Sequence, residues 1–134
     1  MYKHRVQYYE TDKMGITHHS NYIRWMEEAR VDLMAKTGWD YGKMEEQGIV
    51  SPVIGIECKY KATTTFGDVI DIRLSVAEFK GIRLKVKYIM TKENGDVALE
   101  AVSEHCFLDR EGNPVRLKKD YPEFYEAMLA LVEK

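Results

Sequence analysis

The sequence is poor in the residues that staple or interrupt a chain: two cysteines and three prolines in 134 residues. Two cysteines do not make a disulfide framework, and Cys58 and Cys106 lack metal-ligand spacing. Both stand in apolar stretches and read as reduced, buried thiols. No apolar run approaches the roughly 20 residues that cross a bilayer. No apolar leader follows Met1-Tyr2-Lys3-His4-Arg5, so the expectation is a cytoplasmic protein with no membrane insertion. Charge of one sign is also missing, with 20 basic against 22 acidic residues and a net charge of -2. A nucleic-acid binder is usually basic, which sets that partner class aside. Repeats, low-complexity tracts and linkers are absent, and the length fits one domain over residues 1–134.

What is present is a clear alternation of element signals. Residues 3–10 read as a short strand and 11–19 as a polar loop containing Gly15. Ser20 or Asn21 suits a helix N-cap, and Gly38 suits the stop after Thr37. Between them Tyr22, Met26, Ala29 and Leu33 recur at helical spacing, and Trp25 and Met34 widen the stripe. A short helix over 40–47 closes at Gly48. Strands follow at 50–62, 69–79, 82–91 and 97–108. Asn94-Gly95 reads as a two-residue hairpin loop. That loop pairs Glu93 with Asp96, so Tyr88 faces Ala101, Leu84 faces His105 and Ile82 faces Phe107. The opposite face carries Arg83, Lys85 and Lys87. After the turn Glu111-Gly112-Asn113-Pro114, a strand at 115–118 and a helix at 120–132 close the chain. The pattern is α+β: one long helix wrapped by a curved antiparallel sheet of five or more strands.

The segment from Tyr9 to Tyr22 carries the chemistry. It sets Asp12 at a strand end, Gly15 three residues later and a helix start near position 20. Free N–H groups at a helix N-terminus stabilise an oxyanion, and a nearby carboxylate activates water or attacks a carbonyl. A turn aspartate with capping residues has the same appearance, and the residues alone leave both readings open.

The ordered set Asp12-Lys13-Met14-Gly15, Tyr22 and Glu27-Glu28-Ala29-Arg30 resembles the 4-hydroxybenzoyl-CoA thioesterase-like branch of the hotdog superfamily, including its Tol–Pal-associated (YbgC-type) acyl-CoA thioesterases. The similarity runs through Gly67-Asp68 and the long hairpin to Arg116. It implies a hotdog fold and an acyl-CoA thioesterase that releases free acid and CoA without cofactor or metal. By the same resemblance Asp12 is the catalytic carboxylate, as nucleophile or general base, and the backbone N–H of His19 polarises the thioester carbonyl. Gly15 and Tyr22 fall on the substrate-binding surface, and Lys80, Arg83 and Arg116 match regions where relatives hold the phosphates of coenzyme A. The alternative for those cations is a solvated strand face with pairs such as Lys85 with Glu104. The resemblance also implies a homodimer or homotetramer.

Several positions depart from the family pattern. Glu10 stands where an aspartate is common and reads as a structural, hydrogen-bonding acid. His18 replaces an aromatic residue and reads as pointing to solvent or a partner subunit. Thr63-Thr64 replaces Pro-Ala, and Thr63 matches a threonine that positions the reacting groups. Glu27 reads as a partner for Arg30, and His105 as a satisfied core histidine. Two other classes remain: a hotdog dehydratase or hydratase, and a non-catalytic acyl-CoA-binding module. A metal site from Asp12, His18, His19 and Glu27 is disfavoured because adjacent side chains alternate in an extended loop.

Overall fold

The computed structural model describes residues 1–132. Five strands form one antiparallel sheet: β1 (Tyr2–Arg5), β2 (Val53–Tyr60), β3 (Val69–Lys80), β4 (Arg83–Thr91) and β5 (Val97–Cys106), in the order β1-β3-β4-β5-β2. Among the described residues four α-helices complete it: α1 (Ser20–Lys36), α2 (Tyr41–Gln47), α3 (Leu117–Asp120) and α4 (Pro122–Ala130).

The apolar stripe of α1 packs on the sheet, with Tyr22, Trp25, Met26, Ala29 and Met34 all buried. Trp25 is wholly buried, and truncating such a residue to alanine costs about 3–5 kcal/mol. Arg30 is buried in the same stripe, which the expected Glu27–Arg30 pairing did not foresee. Glu27 is exposed, and Arg30 instead donates to the Tyr88 hydroxyl at 2.9 Å.

The hairpin register is as the sequence predicts, with Tyr88 opposite Ala101 and Leu84 opposite His105. The turn that sets it is different. Lys92 N–H donates to Asp96 O and Gly95 N–H to Lys92 O, so the loop holds three residues with Gly95 at φ +93. A register shift between Met90 and Thr91 then restores the pairing. A loop one residue longer and a bulge cancel, so the apolar face stays on the core.

Other expectations need correction. The first strand ends at Arg5 because Tyr8–Glu10 turns into a 3-10 helix, where Glu10 Oε1 accepts the Gln7 N–H at 2.8 Å. The run at 50–62 is a strand only over Val53–Tyr60. The strand expected at 115–118 is the helical turn α3, and Pro114 only bridges Leu108. The last helix covers Pro122–Ala130. Cys58 and Cys106 are free, as expected, but half-buried on their strands. Burial pushes the Cys58 thiol pKa up, the Tyr60 hydroxyl partly opposing it, which favours the protonated form.

Candidate active site

The loop from Thr11 to His19 is closed on itself. Thr11 and Thr17 form a bridge, and the Asp12 N–H donates to Ile16 O at 2.9 Å. Asp12 Oδ1 accepts the Met14 N–H at 2.8 Å, and Asp12 O accepts the Gly15 N–H at 2.9 Å. This turn needs Gly15 at φ +78. A Cβ there would meet nothing within 4 Å, so backbone conformation, not space, requires glycine. Asp12 is half-buried, and its Oδ2 has no hydrogen bond among the described residues.

Two buried side chains anchor the loop. The first is Glu10: Oε2 accepts from Trp25 Nε1 at 2.7 Å, and Oε1 lies 2.8 Å from His4 Nε2. Its carbonyl accepts from the His18 N–H and Asn21 Nδ2, both at 2.9 Å. Burial pushes the Glu10 carboxyl up, but the Trp25 indole, the Gln7 amide and His4 outweigh it, and the net shift is down. The second anchor is Thr64, whose hydroxyl lies 2.6 Å from Thr17 Oγ1 and 3.0 Å from the Tyr22 hydroxyl. Thr63, the residue indicated by the motif, is exposed, and its carbonyl accepts from Lys92 Nζ at 3.0 Å.

Helix α1 starts directly after this loop. His19 is the residue before its first turn, and among the described residues no hydrogen bond engages its N–H. The N-cap is His19, not the expected Ser20 or Asn21, and its side chain makes no cap hydrogen bond; His18 Nδ1 accepts the Ser20 N–H at 3.2 Å, while Asn21 reaches back to Glu10. The His18 and His19 rings stack with centroids 4.3 Å apart. They do not alternate, because His19 already has helical angles of φ -57 and ψ -26. His18 is exposed, as read from the sequence. The His19 ring meets Tyr60 edge-on, and Tyr60 packs on Tyr22.

The expected phosphate-binding cations lie elsewhere in the same chain. Lys80 and Arg83 pair at the far end of the β3–β4 hairpin, eleven residues along β3 from Val69. At about 3.3 Å per residue that is roughly 35 Å from the strand end nearest the Asp12 loop. Lys80 also pairs with Glu78 at 3.0 Å. Arg116 is exposed before α3. The chain thus unites Asp12, Gly15, His19 and Tyr22 but not Lys80 or Arg83.

A central helix against a curved antiparallel sheet, with a carboxylate loop at its N-terminus, defines the hotdog thioesterase class. The chain belongs to the thioesterase-like superfamily, whose family model matches residues 6–130. Among its relatives, YneP of Bacillus subtilis, provisionally named an acyl-CoA thioesterase, is 32% identical over 91% of this chain and 89% of its own. A provisionally named esterase of Aquifex aeolicus is 37% identical over 92% of this chain and 94% of its own. The crystal structure of a DHNA-CoA thioesterase from Staphylococcus aureus superposes with a TM-score of 0.91 at 32% identity, covering 96% of this chain and 87% of that one. These matches reach the superfamily; they do not single out the Tol–Pal-associated branch.

Glu10 is the hydrogen-bonding structural acid that the sequence suggests, whereas Thr64 and His4 were missed. Glu10 was visible as an acid at a strand end, but its burial depends on Trp25, fifteen residues on. Thr64 was visible beside Thr63, and only the path of the loop between β2 and β3 buries the one and exposes the other.

Proposed function

We propose that the protein hydrolyses an acyl-coenzyme A thioester, with Asp12 as the catalytic carboxylate and the His19 N–H as the donor to the carbonyl oxygen. One observation carries this reading: a single hydrogen-bonded loop holds Asp12, with one carboxylate oxygen unengaged, and runs into the start of α1 at His19, whose N–H has no hydrogen bond among the described residues. The helix dipole adds to that N–H. Asp12 either attacks the carbonyl carbon to form a mixed anhydride that water then hydrolyses, or takes a proton from a water that attacks that carbon; in both the C–S bond breaks and coenzyme A leaves as its thiolate. The acyl-CoA and DHNA-CoA thioesterase names of the relatives support the reading.

The working unit in this proposal is a homodimer or a pair of dimers. Strand β2 is a sheet edge, with Val53, Ile54, Ile56 and Tyr60 exposed. An exposed apolar edge strand is a template for pairing with another chain. Pairing there completes a cleft beside Asp12 and lets a partner supply the Lys80, Arg83 and Arg116 that its own loop lacks. No helix among the described residues is long and apolar enough to cross a membrane, and the proposed location is the cytosol.

The test is a panel of short-chain, branched and aromatic acyl-CoAs assayed for free thiol, alongside light scattering. We expect turnover of at least one thioester by a dimer or larger species, and a monomer without activity for Ile56→Lys. Absence of turnover across the panel overturns the proposal.

A further inference from the structure

We infer that Arg30 and the cavity beside it form a binding site for one small monovalent anion of about chloride's size. Arg30 lies in the core stripe of α1 with 8% of its surface exposed. A guanidinium stays charged in a protein. Buried charges are paired, because an unpaired one loses its hydration without replacement. Yet among the described residues no carboxylate forms an ion pair with Arg30. Its Nε–H is buried and has no hydrogen-bond partner among the described residues.

The groups around it are neutral hydroxyls and an imidazole, with no carboxylate among them. Arg30 Nη1 donates to the Tyr88 hydroxyl at 2.9 Å, Tyr88 lies 2.6 Å from Ser103 Oγ, and Ser103 Oγ lies 2.6 Å from His105 Nε2. Arg30 only donates, so the Tyr88 oxygen accepts. The Tyr88 proton, wholly buried, then has Ser103 as its acceptor, and the Ser103 proton goes to His105 Nε2. A neutral His105 therefore carries its hydrogen on Nδ1. The relay runs outward from an uncompensated cation and ends in another N–H.

A cavity of about 20 Å³ lies against Arg30, between α1, α2, the sheet and α4. Its polar lining is Arg30, Tyr41, Ser51 and His105, and the rest is apolar. Each of the four is able to donate a hydrogen bond, and none is an acid. A site needs about 10–15 Å³ to hold one water, so a single guest fits. Water would satisfy the Nε–H but leave the charge. A small monovalent anion does both, whereas phosphate or sulfate is too large and too strongly hydrated for an apolar wall.

An anion held by the folded chain alone stabilises it by mass action. The full chain is melted in sodium chloride and in sodium gluconate at equal ionic strength. We expect a melting temperature that rises saturably with chloride or bromide and not with gluconate, and Arg30→Met that no longer distinguishes the salts. Should that variant fail to fold, wild-type crystals grown in sodium bromide give the answer: an anomalous peak beside Arg30 Nε is expected. Equal melting in both salts at every concentration overturns the proposal. So does a cavity that holds water or a carboxylate of the chain itself without an anomalous peak.

Discussion

The Trp25 indole N–H donates to Glu10 Oε2 at 2.7 Å, so the second turn of α1 grips an acid two residues before Asp12. The helix that supplies the proposed carbonyl-binding N–H and the loop that supplies the carboxylate are thereby one unit. His4 extends it, lying 2.8 Å from Glu10 through Nε2 and 2.8 Å from Glu28 through Nδ1.

Trp25→Phe keeps the ring and removes that donor. Losing one hydrogen bond to a buried charged acceptor predicts about 1–3 kcal/mol less stability in urea melts at neutral pH. The Glu10 carboxyl is held below its ordinary pKa, against the effect of burial, by Trp25, Gln7 and His4. Its contribution is therefore present at neutral pH and lost as pH falls through the folded value. Glu10→Gln should be less stable than wild type at pH 7, with the gap narrowing in acid.

Asp12→Asn preserves size and the turn's acceptor oxygen while removing basicity and nucleophilicity. The expected result is a fall in kcat of about 10² or more. An unchanged melting temperature and oligomeric state would show that the loss is chemical.

Thr64 and Thr63 make a paired comparison. Thr64→Val removes the hydroxyl shared by Thr17 and Tyr22 and should cost about 1–3 kcal/mol, with a lower kcat as the loop loosens. Thr63→Val, at an exposed position, should stay within about 0.5 kcal/mol of wild type. A kcat loss confined to Thr63→Val would assign the positioning role to Thr63 instead.

His105 has its pKa lowered to about 4, by burial first and by Arg30 second. The unfolded chain takes up this proton near pH 6.5 and the folded one only near 4, so stability is lost as pH falls between them. The loss amounts to roughly 3 kcal/mol. His105→Gln should flatten the stability curve over that interval, read from urea melts at stepped pH.

Lys80→Ala, Arg83→Ala and Arg116→Ala should each raise KM more than they lower kcat, because phosphate anchoring is largely uniform binding. Since Lys80 and Arg83 lie at the far end of β3–β4 from the Asp12 loop, the proposed assembly has them reach substrate across subunits. Mixing Asp12→Asn with Arg83→Ala chains should then restore low-KM turnover at a fraction of the sites, measured on the mixed oligomer.

Local pattern determined much of this protein. Alternation of apolar residues put Leu84, Val86, Tyr88 and Met90 on the core face, helical spacing located α1, and Asp12-x-x-Gly15 marked a turn whose conformation is local. The register of β4 on β5 survived a misjudged turn because burying one face allows only one parity of pairing. Tertiary structure decided everything that depends on which distant side chain arrives. It buried Thr64 and left Thr63 exposed, gave Arg30 to Tyr88 across 58 residues instead of to Glu27, and buried Glu10 against Trp25. It also separated Lys80 and Arg83 from the Asp12 loop. A charged residue's burial follows from what packs over it, and that is set by contacts far apart in sequence, which no local period encodes.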